Sequence, residues 1–353
     1  VKIVTILGAR PQFIKAAPVS RALRRTHAEV LVHTGQHYDA MMSDVFFSEL
    51  GIPAPDITLN VGSAPHGAQT GRMLEGIETV LLREQPDAVL VYGDTNSTLA
   101  GALAAAKLCI PIVHVEAGLR SFVRDMPEEI NRVLTDRLST LCCCPSETAR
   151  EHLAAEGITG GVTVVGDVML DALTDTAARV ANDPARLTAL GVEPSRYLLA
   201  TVHRAANTDD VVRLRAIIGA LGAAAEPVLW PMHPRTQHIL AREGIALPAN
   251  IRSVEPFGYL DLVTALQHAR AAVTDSGGLQ KEAYWLGVPC VTLRDETEWT
   301  ETVASGWNVL ADADADRILA GVRGAGPSGA ARDAYGIVGA AERVVAAMEQ
   351  RFE

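Results

Sequence analysis

Residues 8–18 read GARPQFIKAAP and follow the apolar run KIVTI at 2–6. A strand that passes at once into a short loop and a helix is where α/β proteins bind nucleotides. A dinucleotide loop would carry several glycines. This one has Gly8 alone and offers the cations Arg10 and Lys15. The pattern of apolar run, loop and helix recurs along the chain. EVLVHT, AVLVYGD, IVHVEAG, TLCCCP and VTVVGDV follow in the first half, then YLLATVH, PVLWPMHP, IRSVEP, AAVTDSGG and CVTL. Stretches of helical character separate them, at 68–84, 96–107, 128–138, 209–222 and 313–322. Such alternation predicts parallel sheets with right-handed crossovers. Eleven runs in 353 residues suit two doubly wound sheets better than one. The expected domains are Rossmann-like: an N-terminal one over 1–168 and a C-terminal one over 169–334, with a last helix in 335–353 packing back on the first.

Composition narrows the function. Hydrophobic residues are 48%, charged residues 21% and aromatics 5%, a globular balance built from small side chains. Net charge is −11 with no basic run, which argues against a nucleic-acid partner but not against an anionic small ligand. The most apolar stretch, TLAGALAAAKLCIPIVHV, is interrupted by Lys107 and Pro111. It reads as helix, turn and strand rather than a membrane span. The chain opens directly on a strand, and the expected compartment is the cytoplasm. Cys142, Cys143 and Cys144 alternate faces if they lie on a strand, so they read as buried small hydrophobes and not as a metal site.

The chemistry gathers where the runs end. Asp94 closes VLVYGD and Glu116 closes IVHVE, while Glu128 and Glu129 open the helix of RDMPEEINRVL. Each has an ordinary explanation. Asp94 suits a helix N-cap, and acids in a first helical turn are common. Three acids from successive loops at one sheet edge favour a site, where clustered carboxylates shift one another's proton affinity. His203 and Arg204 close LLATVHR and suit an anion contact; His233, in WPMHPRT, reads chiefly as loop packing. In DSGGLQKEA, Ser276, Gly277 and Gly278 precede a helix, where exposed backbone N–H groups suit a phosphate. Glu282 lies one turn further on, placed to accept from two ribose hydroxyls. A strained turn followed by a surface glutamate fits that spacing nearly as well.

Together, GARPQFIKAAPV, TGQHYD, VYGDTNSTLAG, HVEAGLRS, MPEEINRVLTD, HRAANTDD, HPRT and TDSGGLQKEA resemble the non-hydrolysing UDP-N-acetylglucosamine 2-epimerases. The resemblance runs through nearly the whole chain. It implies two Rossmann-like domains in the glycosyltransferase-B arrangement with an interdomain cleft, a homodimer, and interconversion of UDP-GlcNAc and UDP-ManNAc without a nicotinamide cofactor. Carried over by motif, Arg10, Lys15, His203, Ser276, Gly277, Gly278 and Glu282 would hold the UDP-sugar, the last four in a UDP-binding C-terminal domain. Asp94, Glu116 and Glu128 would be the catalytic acids and bases, with His203 contributing as UDP departs. The chain departs from better-known members at Tyr38 and Trp299, where those have arginine, and at Ala206, where they have glutamate. Its ETEW, at 296–299, is closer to the branch with UDP-2,3-diacetamido-glucuronate epimerases, so that sugar stands as the alternative substrate.

The C2–H bond of such a sugar adjoins no carbonyl. It can be broken by oxidation with NAD, for which a G-x-G-x-x-G loop is missing, or by elimination of UDP to a glycal. Elimination concentrates charge on the departing diphosphate, where fixed donors act most strongly. Two rivals are a glycosyltransferase of the same fold and a sugar-nucleotide sensor without chemistry. Retaining glycosyltransferases tend to have a second glutamate eight residues before the ribose-binding one, where this chain has Thr274. The acids Asp94, Glu116 and Glu128 argue against the sensor.

Overall fold

The structure is a computed structural model and describes residues 1–36, 49, 51–181, 183–324, 326 and 331–352; the side chains of Arg10 and Pro184 lie outside that description. The chain divides into two compact units, Val1–Thr174 with Tyr335–Glu353, and Asp175–Ala334.

The first unit is built on a seven-stranded sheet in the order β3-β2-β1-β4-β5-β6-β7. Its strands are β1 (Lys2–Leu7), β2 (Ala28–His33), β3 (Ile57–Thr58), β4 (Ala88–Tyr92), β5 (Ile112–Val115), β6 (Leu141–Cys144) and β7 (Val162–Val164). Every pairing is parallel, with Ile3 opposite Glu29 on one side and Ala88 on the other. β4 and β5 are buried at every position. Strands covered by helices on both faces have no polar side to show, which is why they read as continuous apolar runs. Met73, Ile77 and Leu81 from the helix His66–Glu84 pack with Val4, Val89 and Val91 on one face. The closing helix Ala340–Phe352 belongs to this unit. Asp171 accepts from the backbone N–H of Gly339 (2.7 Å) and of Ala341 (2.8 Å), and Arg343 Nε donates to the Val165 carbonyl at 2.7 Å.

The second unit has a six-stranded parallel sheet in the order β10-β9-β8-β11-β12-β13. Here β8 is Leu198–Thr201, β9 Val228–Pro231, β10 Ile251–Val254, β11 Ala271–Thr274, β12 Cys290–Thr292 and β13 Asn308–Leu310. Trp230, Leu214 and Val273 centre one core layer, and Tyr197, Leu199 and Leu279 the other. Two strands, β3 and β13, have no counterpart among the eleven runs. Both are sheet edges of two and three residues, too short and too exposed to show as apolar runs. The helix expected over 209–222 runs Val211–Gly222, because Asp210 caps it through the N–H groups of Val212 (2.9 Å) and Arg213 (3.1 Å), and a short helix Ala205–Thr208 precedes it.

In each sheet the chain reverses its direction of travel at one point, between β1 and β4 and between β8 and β11. Outside the carboxyl ends of such strands lies a crevice that ligands use. The loop after β1 is made by close packing rather than by a glycine cradle. A Cβ on Gly8 would lie 2.0 Å from Ser97 Oγ and 2.1 Å from Thr34 Oγ1. No side chain caps the helix Arg10–Leu23 from Ala9; the Gln12 side chain does that work. Its Oε1 accepts from the N–H of Gly8 (2.8 Å) and Ala9 (3.0 Å), and its Nε2 donates to the Tyr92 carbonyl at 2.9 Å. Gly8→Ala should therefore lower the free energy of unfolding by about 1–3 kcal/mol through overpacking. Urea melts should show an earlier midpoint with an unchanged slope.

Candidate active site

In the first unit the carboxylates sit at the ends of β4 and β5. Gly93 (φ +59°) turns the chain after β4, and a Cβ there would lie 3.1 Å from Glu116 Oε2 and 3.2 Å from Lys15 Nζ. Glu116 is 7% exposed and forms an ion pair with Lys15. Its backbone is left-handed, φ +72°, which a residue with a Cβ seldom adopts. The strain is held by the next strand: the Cys143 carbonyl accepts from the N–H groups of both Glu116 and Ala117, each at 3.1 Å. Such a turn aims the carboxylate back across the sheet end and not along a helix.

Asp94 is not the helix N-cap. Thr95 takes that place and accepts from the Thr98 N–H, which releases the Asp94 carboxylate to Arg132 Nη2 at 2.6 Å. Asn131 Nδ2 donates to the Asp94 carbonyl at 2.9 Å. Arg132 also donates to Glu129 at 3.0 Å, and Glu129 in turn accepts from the N–H groups of Ser121 and Phe122. Glu129 is therefore a loop anchor. Glu128 is exposed in the first turn of the helix Pro127–Leu138. The structure brings together Lys15 with Glu116, and Asp94 with Arg132, whereas exposed Glu128 opens a helix that Asn131 and Arg132 tie to the Asp94 loop. Arg10 opens its helix, with its side chain outside the description, and Tyr38 lies outside the described residues.

In the second unit His203 follows β8 and Asp275 follows β11. Asp275 is fully buried and accepts from the N–H of His203 (3.0 Å), the N–H of Arg204 (2.9 Å) and Asn207 Nδ2 (3.2 Å). Its Oδ1 also lies 3.0 Å from His203 Nδ1. A ring nitrogen tied to a carboxylate fixes the orientation of the imidazole and leaves Nε2 as the working end. Burial pushes the Asp275 carboxyl up, but its bond to His203 and the His203 charge outweigh that and hold it below the usual carboxylate range.

No side chain caps the helix Gly277–Leu286 that starts after Ser276, which leaves the Gly277–Gly278 end open to an anion. A Cβ on Gly277 would meet Glu298 Oε1 at 2.9 Å and Trp299 Nε1 at 3.1 Å. Glu282 is 3% exposed, and Tyr259 donates to its Oε1 at 2.9 Å. Beside this turn Arg294 donates from Nη1 to Glu298 at 2.9 Å. The Trp299 ring has Lys281 Nζ 3.7 Å from its centroid, a cation–π contact within a buried setting.

The chain matches the family model described as UDP-N-acetylglucosamine 2-epimerase over residues 21–349. It belongs to the UDP-N-acetylglucosamine 2-epimerase family. Among relatives of this family, a UDP-N-acetylglucosamine 2-epimerase homolog of Methanococcus maripaludis is 53% identical over 323 residues, 90% of each chain. The UDP-2,3-diacetamido-2,3-dideoxy-D-glucuronate 2-epimerase of Pseudomonas aeruginosa is 51% identical over 330 residues, 91% of each. A crystal structure of the Methanocaldococcus jannaschii UDP-GlcNAc 2-epimerase, in complex with UDP-GlcNAc and UDP, superposes with a TM-score of 0.92 at 39% identity, covering 99% of this chain and 100% of that one. The epimerase fold is thus shared across the whole length.

Sequence reading passed over Arg132, Asn131 and Asp275, which orient the residues it named. Arg132 had a readable signal, three positions after Glu129 on one helix face. Asp275 stands inside the DSGG motif, but its role depends on β8 and β11 being neighbours, which composition does not show. The Asp275 carboxyl contributes stability above its ordinary value near 3.8, and this is lost as pH falls through the lower folded value. Asp275→Asn should unfold more easily than wild type at pH 7, and the gap should close below pH ~4. Urea melts of both proteins across that range would check it.

Proposed function

We propose that the chain is a non-hydrolysing 2-epimerase that interconverts UDP-GlcNAc and UDP-ManNAc by elimination and re-addition of UDP. The observation that carries this reading is Glu116: a nearly buried carboxylate on a left-handed turn, paired with Lys15, in a chain of the 2-epimerase family. A carboxylate so held can take a carbon-bound proton, and Lys15 sets its position. Asp94, oriented by Arg132, and Glu128 are the remaining candidates for proton transfer on the other face of the sugar. In the second unit, Gly277, Gly278 and His203 would receive the diphosphate, and Glu282 the ribose, with Arg10 and Lys15 as the cations of the first. Charge on the departing UDP is then met by fixed donors. No nicotinamide enters this route.

A second reading, favoured by the P. aeruginosa relative and by Trp299, takes UDP-2,3-diacetamido-glucuronate as the substrate. The chemistry at C2 is the same. Among the described residues no helix is long and apolar enough to cross a membrane, and we place the enzyme in the cytoplasm. We propose a homodimer, supported by exposed Ile130 and Leu134, one turn apart on the helix Pro127–Leu138; sedimentation at several concentrations tests it.

Incubated in deuterated water with each UDP-sugar, the enzyme should place deuterium at C2 of the product of its true substrate. A hydride mechanism would return the original hydrogen, and product without deuterium from an active preparation overturns elimination. Glu116→Gln should slow turnover by about 10²–10⁴-fold, with UDP affinity by calorimetry nearly unchanged.

A further inference from the structure

One fully buried titratable side chain beside the carboxylates has no part in the scheme above. His114 lies on β5, two residues before Glu116, and is wholly inaccessible. Its Nδ1 is 2.7 Å from Asp136 Oδ1, and its Nε2 is 2.7 Å from the Gly93 carbonyl oxygen. A neutral imidazole has one donor nitrogen and one acceptor nitrogen. Both atoms met here are acceptors. A carbonyl oxygen never donates. Burial pushes the Asp136 carboxyl up, yet it stays below the usual range, with the Arg120 cation and the Gly118 N–H both donating to it. A neutral ring would leave a bare nitrogen against an oxygen lone pair at a wholly inaccessible position, a buried loss that is costly.

Charged groups surround the pair. Arg120 donates to Asp136 Oδ2 at 2.7 Å and binds both oxygens of Glu156, at 2.7 and 2.8 Å. The Gly118 N–H also points at Asp136. Arg137 adds a cation beside Glu156, so the charge count does not decide the state of His114, and its two acceptors do. The thiols of Cys142 and Cys144, which also feel Asp136, are pushed up by burial and carry no charge at neutral pH. Among the other charged groups nearby, Lys15 pairs with Glu116, and Arg132 with both Asp94 and Glu129. His152 faces the Gly118 carbonyl through Nδ1.

We propose that His114 is a standing imidazolium cation and a positioning residue, binding the Gly93 carbonyl so that the turn before Asp94 stays in register with the strand that ends at Glu116. With both hydrogens committed it gives and takes no proton in turnover. The positioning role rests on the reading of Asp94 and Glu116 as proton-transfer groups; the charge state does not.

Nitrogen NMR of the unaltered protein labelled with 15N-histidine reads the charge state directly. Both ring nitrogens of His114, assigned through contacts to the Gly93 and Gly118 amides, should carry hydrogen from pH 6.5 to 8.5, with or without UDP. One bare nitrogen at neutral pH overturns the cation, whether or not either UDP-sugar turns over. His114→Gln supplies a donor to one acceptor only and no charge. Its kcat should fall by about 10²-fold, the scale of a misplaced reacting group, with UDP affinity and KM nearly unchanged. A folded variant with full kcat overturns the positioning role. The spectrum of the unaltered protein decides the charge state even if the variant fails to fold.

Discussion

The ion pair between Lys15 and Glu116 is the constraint around which the first unit is arranged. A buried carboxylate left alone would cost several kcal/mol, and a left-handed backbone at a residue with a Cβ adds about 1–2 kcal/mol. Three loops must cooperate to hold both. Lys15 arrives from the helix after β1, whose start is set by Gly8 and Gln12. Gly93 supplies a side-chain-free position that lets the two charged ends meet, and β6 holds the turn through the Cys143 carbonyl. Gln12 also joins the first of these loops to the second, through the Tyr92 carbonyl and Thr98 Oγ1. Removing any one contact shifts a carboxylate relative to its neighbours, so packing and chemistry here are the same problem.

Much of this was legible in the sequence because parallel strands announce themselves. The runs that became β1, β4, β5, β8 and β11 are largely apolar on both faces, and those of β4, β5, β8 and β11 lead into Asp94, Glu116, His203 and Asp275. Edge strands carry no such signature, which is why β3 and β13 went unread. Asp94 was legible as important but not in its bonding: Asp and Thr both cap helices, and only the fold shows that Thr95 does so here. Asp275 and His114 were illegible for a different reason. Each acts through a partner that sheet order brings close, 72 residues away for His203 and Asp275 and 21 for His114 and Gly93. Spacing along the chain does not contain that adjacency.

The second unit separates what is general from what is particular to this chain. An uncapped helix after a Ser-Gly-Gly turn and a histidine steadied by a buried aspartate suit any nucleoside diphosphate. The neighbourhood of Arg294, Glu298, Trp299 and Lys281 is more individual. An arginine at 299 would set a second cation against Lys281, whereas the tryptophan ring accepts that cation on its face. The change therefore alters the local charge, and it lies against Gly277 at the uncapped start of the helix.

The cysteines carry a practical consequence. Cys142, Cys143, Cys144 and Cys290 are buried, and burial raises all four thiols, Cys290 to about 12. A thiol that stays protonated and enclosed is a poor nucleophile. Cys109, after the helix Asn96–Lys107, is exposed. The native chain thus offers maleimide or spin-label reagents a single address on the first unit. A fluorophore there would report on the enzyme without any cysteine having to be engineered away.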